Sequence, residues 1–243
     1  MAPECILVTG ASSGIGEAIA RRLSASHRLI LHGRDLGRLE ALRAALPRPE
    51  EHLLWPALFG DGADPAESLR LVLENTNVMV SGLIHAAGVF QVQAITNAPY
   101  VSAREIFAVN VFSATSVLRL LLKKKNRDSL RSVVFVSSIA SRYGAKGFSL
   151  YAATKGALDS LTRSLAAELA PKIRVNSILP GGLRTMGTRH LYETQPEEVL
   201  NKGYLLGPGT TDDIAQMAEY LVGDGGRWIT GQQFVVDGGK TAH

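Results

Sequence analysis

The sequence predicts an α/β fold in which one parallel sheet of seven strands carries helices on both faces. Two observations support this. Short β-rich runs alternate with longer helical patterns from end to end, the order that βαβ crossovers produce. Several runs, such as Val133-Val134-Phe135-Val136, are almost continuously apolar, which suits strands covered on both sides. For 243 residues, a single domain around one sheet is the expectation.

The first strand covers Cys5 to Val8 and runs into Thr9-Gly10-Ala11-Ser12-Ser13-Gly14-Ile15-Gly16, a glycine-rich turn that opens a helix over Gly14 to Leu23. A second strand, Leu29 to His32, precedes a helix over Leu36 to Ala45. The third, His52 to Leu58, leads past Asp61 to a helix over Ala66 to Glu74, with Asp64 as cap and Pro65 in its first turn. The fourth, Leu83 to His85, is followed by a long helix from Ser102 to Lys124 in which Asn110 is a polar break. The fifth, Val133 to Val136, ends in Ser137-Ser138 and precedes a helix from Tyr151 to Ala170. The sixth, Arg174 to Ile178, leads into Pro180-Gly181; a helix over Asp212 to Val222 and a strand over Gln233 to Val236 complete the series. Between Gly182 and Pro208 the rhythm breaks into Gly, Pro, Thr and charges, with one weak helical stretch around Glu197 to Asn201. An insertion of that length beside strand ends reads as a substrate lid over residues 183–208. Its apolar residues Leu183, Met186, Leu191, Tyr192, Val199 and Leu205 either line a pocket or pack the lid.

Composition narrows the function classes. No apolar run reaches the roughly 18 to 20 residues that span a bilayer, and the start lacks a basic region followed by an apolar stretch, so a soluble, cytoplasmic protein is expected. Cys5 is the single cysteine, which excludes an intrachain disulfide and a thiolate metal cluster; no metal is expected. The net charge of +4 is mostly scattered among acids, so an anionic small molecule accounts for it better than nucleic acid.

The glycine-rich turn sits at a strand-to-helix junction, where Gly10, Gly14 and Gly16 let a pyrophosphate approach main chain and the helix amino terminus. Ser12, Ser13 and Ile15 belong to the same cradle. At the end of the second strand, where a carboxylate would grip both hydroxyls of an adenosine ribose, stand Gly33 and Arg34. A guanidinium there can pair with a ribose 2′-phosphate, with Ser12 or Ser13 adding a hydroxyl, so NADP(H) is expected over NAD(H). Asp61 is placed to accept from the adenine amino group. Pro180 and Gly181 can turn main chain toward the nicotinamide amide, with Leu183 and Thr185 contacting the amide and diphosphate.

Tyr151 and Lys155 are four residues apart, one above the other on a helix face. Hydride addition to a carbonyl builds negative charge on its oxygen, which calls for a proton donor and a second hydrogen bond. Tyr151 and Ser138 suit those roles. The Lys155 ammonium, with the cofactor's charge, is expected to lower a phenol pKa that is otherwise about 10, and Lys155 also reaches ribose hydroxyls.

These residues, with His85-Ala86-Ala87-Gly88, Asn110, Tyr151-Ala152-Ala153-Thr154-Lys155, Pro180-Gly181 and Asp237-Gly238-Gly239, give the chain a nearly end-to-end resemblance to the short-chain dehydrogenase/reductase family, nearest its 3-oxoacyl-carrier-protein reductase-like branch. The resemblance implies a Rossmann-type doubly wound fold and a homotetramer or homodimer. It also implies a tetrad of Asn110, Ser138, Tyr151 and Lys155, with Asn110 holding a water that relays protons to Lys155, and cofactor contacts at Ala87 and Gly88. Two positions depart from the pattern. His85 replaces an asparagine and is expected to pack or bond locally, and Leu206-Gly207-Pro208 replaces a Leu-Gly-Arg, which puts a subunit contact in doubt. The expected reaction is reduction of a ketone to a secondary alcohol. A 3-oxoacyl thioester on an acyl-carrier protein is the sharpest substrate expectation, with Lys123-Lys124-Lys125, Arg127 and Arg131 as the basic partner face. The alternatives are a small ketone, sugar, steroid or secondary-metabolite intermediate, or a non-catalytic NADP-binding sensor.

Overall fold

The computed structural model describes residues 4–60 and 62–242. Among them, seven strands form one parallel sheet in the order β3-β2-β1-β4-β5-β6-β7. The strands are β1 (Cys5–Thr9), β2 (Arg28–Gly33), β3 (Leu53–Pro56), β4 (Val80–His85), β5 (Ser132–Val136), β6 (Arg174–Pro180) and β7 (Gln233–Val236). The helices are α1 (Gly14–Leu23), α2 (Leu36–Ala44), α3 (Pro65–Thr76), α4 (Tyr100–Phe107), α5 (Ser113–Leu121), α6 (Lys124–Arg127), α7 (Ser149–Leu169), α8 (Arg189–Thr194), α9 (Glu197–Leu200) and α10 (Thr211–Val222). Alternate strand residues feed two buried layers. Leu7, Ile30, Leu83, Val133 and Val175 pack under α3, α5 and α7, and Ile6, Leu31, Ile84, Val134 and Ile178 pack under α1, α2 and α10. The expected double layer of helices is therefore present. Chain direction reverses its march across the sheet between β1 and β4, so the crevice for a ligand opens at the carboxyl ends of those two strands.

Three elements differ from the sequence expectation. The third strand is shorter than His52 to Leu58. Pro56 cannot continue the ladder, and His52 turns its ring inward to accept from Leu29 N–H at 3.1 Å. The fourth strand starts earlier, at Val80, because the Asn126 amide bonds both backbone groups of Val80. Gly82, which weakens the strand pattern, is there to accommodate Val222; a Cβ would lie 2.8 Å from its methyl. The long fourth helix is not continuous: Ala108–Phe112 is a π-helical turn in which Ser113 N–H bonds Ala108 C=O, and it swings Asn110 fully inward. Such bulges concentrate at functional positions.

Two histidines are sealed beneath the crevice. His32 accepts Gly10 N–H through Nδ1 at 3.3 Å and bonds Ala57 C=O through Nε2 at 3.1 Å. His85 accepts the Thr9 hydroxyl through Nδ1 at 3.0 Å, and its Nε2 faces the Ser113 hydroxyl at 3.5 Å. The ring of His85 thus bonds locally, as expected from sequence, and Thr9 in turn accepts Ala87 N–H at 3.1 Å. Burial draws both imidazoles down to about 3. In the unfolded chain they return to about 6.5, so between those values the unfolded state binds the extra protons. The stability each neutral ring contributes is whole above the unfolded value and drains away as pH falls toward the folded one, at up to about 1.4 kcal/mol per pH unit for each ring. Urea midpoints should therefore drop steeply between pH of about 7 and about 5; equal midpoints would contradict the assignment of both rings as neutral.

Candidate active site

The turn after β1 is built for close approach. Gly10 and Gly14 lie at φ 69° and 57°, which side chains disfavour. At Gly16 a Cβ would fall 2.2 Å from Gly10 C=O, so only glycine lets α1 start this close to the strand. Ser13 sits at the amino cap of α1 without a side-chain capping bond. The first N–H groups of the helix thus lack the usual hydroxyl partner and face the crevice with their dipole. Ser12 leans over the end of β2, its hydroxyl 2.7 Å from where a Cβ on Gly33 would be. Next to it, Arg34 is exposed and makes no ion pair among the described residues, while Asp35 caps α2 and pairs with Arg38 instead. Asp61 lies outside the described residues.

Across the crevice, Thr185 approaches Gly14; a Cβ there would meet the threonine at 3.3 Å. Thr185 is tied down by Thr188, whose hydroxyl accepts Thr185 N–H at 2.9 Å and donates to Leu183 C=O at 2.6 Å. The Leu183 side chain is buried in the core beside Ile178 and Ile214, so it faces the core and leaves main chain at the turn. Met186, Val199 and Leu205 are exposed. At Gly181 and Gly182 the missing side chains make room for Tyr204, whose hydroxyl accepts Gly182 N–H at 2.6 Å.

The four tetrad residues come together at the ends of β4 and β5. Ser138 follows β5 and accepts Ala140 N–H at 3.1 Å, starting a short turn over Ile139–Ser141. Its side chain stands beside the Tyr151 phenol and lowers its pKa. Lys155 is one turn further along α7, buried, with Nζ 5.6 Å from the Tyr151 ring centre and donating to Val136 C=O at 2.9 Å. Burial pushes the phenol up to about 12, and only Ser138 draws it down. The Lys155 ammonium is bonded to the end of β5 while standing near the phenol ring. Lys155 itself is drawn down to about 8 by burial, with Asp159 holding it up. The Asn110 carbonyl oxygen accepts Val89 N–H at 2.8 Å, and its amide nitrogen donates to Val89 C=O at 3.1 Å and to Thr154 at 3.0 Å. A Cβ on exposed Gly88 would lie 3.3 Å from the Asn110 oxygen and 3.5 Å from Lys155 Nζ, so both groups converge beneath that glycine.

A family model described as enoyl-(acyl carrier protein) reductase matches residues 10–241. The chain belongs to the short-chain dehydrogenase/reductase family. Glucose 1-dehydrogenase of Gluconobacter oxydans is 32% identical, covering 98% of this chain and 92% of its own. The 3-oxoacyl-[acyl-carrier-protein] reductase of Bos taurus is also 32% identical, covering 96% and 95%. A 3-ketoacyl-(acyl-carrier-protein) reductase from Brucella melitensis, solved with NADH, superimposes with a TM-score of 0.87 at 26% identity over 98% of each chain. Family membership makes this chain an oxidoreductase, of a family whose members act on chemically different alcohols and ketones.

Sequence reasoning passed over several groups that shape the site. Phe90 meets the Tyr151 ring edge-on at 5.0 Å and Phe148 meets it at 6.3 Å, and the two phenylalanines pack against each other at 5.4 Å. No local motif marks them. Asp159 extends the spacing of four from Tyr151 and Lys155, and that spacing was a readable signal.

The expected basic partner face lies elsewhere. Lys123, Lys125, Arg127 and Arg131 fall between the end of α5 and the start of β5, at the amino end of the strands and opposite the tetrad. They are not placed to guide a carrier-bound substrate to Tyr151.

Proposed function

We propose that this protein is an NADP(H)-dependent reductase that converts a ketone to a secondary alcohol, with Tyr151 as the acid. The Tyr151 phenol beside Ser138 at the strand ends, with buried Lys155 Nζ 5.6 Å from its ring centre, carries the reading. The uncapped start of α1, the tight turn at Gly10 to Gly16 and Arg34, which makes no ion pair among the described residues, fit a dinucleotide with a 2′-phosphate. Bound there, NADPH supplies the hydride. The residues that hold it are Gly10, Ser12, Ser13, Gly14, Ile15 and Gly16 at the turn, Arg34, then Ala87 and Gly88, and Pro180, Gly181, Leu183 main chain and Thr185 on the far side.

Ser138 hydrogen-bonds the substrate carbonyl oxygen, and Tyr151, protonated at neutral pH because burial raises it, donates its proton to the same oxygen. Lys155 steadies the resulting phenolate with its charge. Asn110 braces Val89 and Thr154 with its side chain. Residues 183–208, with α8 and α9, serve as the lid.

The Phe90 and Phe148 rings beside Tyr151 favour a ketone flanked by apolar carbon, as in a 3-oxoacyl thioester or a ring ketone, over a polyhydroxylated sugar. Large exposed side chains, Tyr100 at 83% and Trp228 at 92%, go with burial between copies in a homodimer or homotetramer. A cytoplasmic setting suits the single, buried thiol of Cys5.

Arg34→Ala tests the cofactor. Affinity for NADPH should fall by about 10- to 100-fold, with affinity for NADH unchanged. Equal changes for both dinucleotides would refute the 2′-phosphate contact.

A further inference from the structure

Asp159 is a buried carboxylate, 5% exposed, in the middle of α7. It lies one turn beyond Lys155 and two beyond Tyr151, so the three side chains form a ladder along one helix face. Its oxygens accept hydroxyl bonds from Ser141 at 2.5 Å and from Ser177 at 3.3 Å, and its backbone carbonyl accepts the Gln233 amide at 3.0 Å. Each partner comes from a different element: the turn after β5, β6 and β7. Ser141 closes the short turn that Ser138 opens and lies 2.8 Å from Ser138 C=O.

We infer that Asp159 is a positioning residue for the reaction proposed above, holding the Ser138 turn against α7 through Ser141 and keeping Lys155 charged from one turn below. An acid this deeply buried is costly unless something requires its charge. Serine hydroxyls satisfy the oxygens but do not neutralise them, and along the ladder buried Lys155 and exposed Arg163 stand one turn to either side. The charged and titratable groups around the pair are few. Arg142 reaches this region only through Gln233, whose side-chain oxygen it bonds at 2.9 Å. Buried His85 is neutral, and Tyr151 is protonated. Burial lowers Lys155 to about 8 with Asp159 in place. Without that carboxylate the amine loses its proton at lower pH, and a neutral amine cannot stabilise a phenolate.

Asp159→Asn keeps the shape and two hydrogen bonds while removing the charge; Ser141→Ala keeps the charge while removing the tie to the turn. With a ketone substrate, Asp159→Asn should shift the alkaline limb of the pH profile down by about one unit, which cuts turnover about twofold at neutral pH and up to about tenfold on the alkaline side. Ser141→Ala should lower turnover several-fold with the limb unmoved, and NADPH affinity should stay near the natural value in both. A purely structural role for Asp159 would change thermal stability without moving the limb, and that result overturns the proposal. NMR titration of the Lys155 side chain in the natural protein and in Asp159→Asn needs no substrate. A lower lysine pKa in the variant supports the proposal and an unchanged one overturns it, while absence of ketone turnover by the natural protein counts against the reductase reading alone.

Discussion

Tyr151→Phe is expected to bind NADPH as tightly as the natural chain and to lose turnover by about 10²- to 10⁴-fold, the contribution of one well-placed acid. The ring itself is retained, so its edge-on packing against Phe90 and Phe148 survives. What disappears is the hydroxyl that stands beside Ser138. A phenol pushed up to about 12 holds its proton at neutral pH, so the transfer depends on the charge that hydride addition builds on the substrate oxygen. Fluorescence titration with NADPH and steady-state assays on one purified variant separate binding from chemistry. Turnover within a few-fold of the natural value would mean that another group supplies the proton.

The second large effect is structural. In Gly16→Ala the new methyl would stand 2.2 Å from Gly10 C=O and 2.6 Å from its carbon, both backbone atoms that cannot rotate aside. Either α1 retreats from the strand or the turn opens, at a cost of about 1–3 kcal/mol or more for an overpacked site. Both responses disperse the N–H groups at the helix start, so NADPH affinity should fall by at least about tenfold even in chains that fold. Gly144→Ala is a control at another glycine: its φ lies outside the left-handed region and no atom lies within 4 Å of its Cβ position. Comparing thermal midpoints and NADPH affinities checks the account; a Gly16→Ala protein that binds NADPH normally would contradict it.

Much of this was legible in the sequence, for identifiable reasons. Strands such as Val133 to Val136 show themselves because a sheet covered on both faces needs apolar residues at every position. The glycine-rich turn shows itself because two positive φ angles and a 2.2 Å approach leave no other residue type. Tyr151 and Lys155 are adjacent because four residues make a helical turn. What stayed hidden depends on tertiary context. The start of β4 at Val80 is set by Asn126, forty-six residues away, and the π-helical turn at Asn110 follows from bonds to Val89 and Thr154. The upward push on the Tyr151 phenol stayed hidden because a spacing of four places Lys155 near the ring without revealing how deeply the hydroxyl is buried. The basic run near Lys123 reads as a partner face until topology puts it at the wrong end of β5.

The most direct test of the central claim is to follow nicotinamide absorbance when the natural protein is mixed with NADPH and a set of ketones that includes short 3-oxoacyl thioesters, ring ketones and ketoses. The account predicts rapid, ketone-dependent loss of NADPH with at least one apolar ketone, with ketoses slow. NADPH that binds but is consumed by none of them would contradict a reductase built on Tyr151.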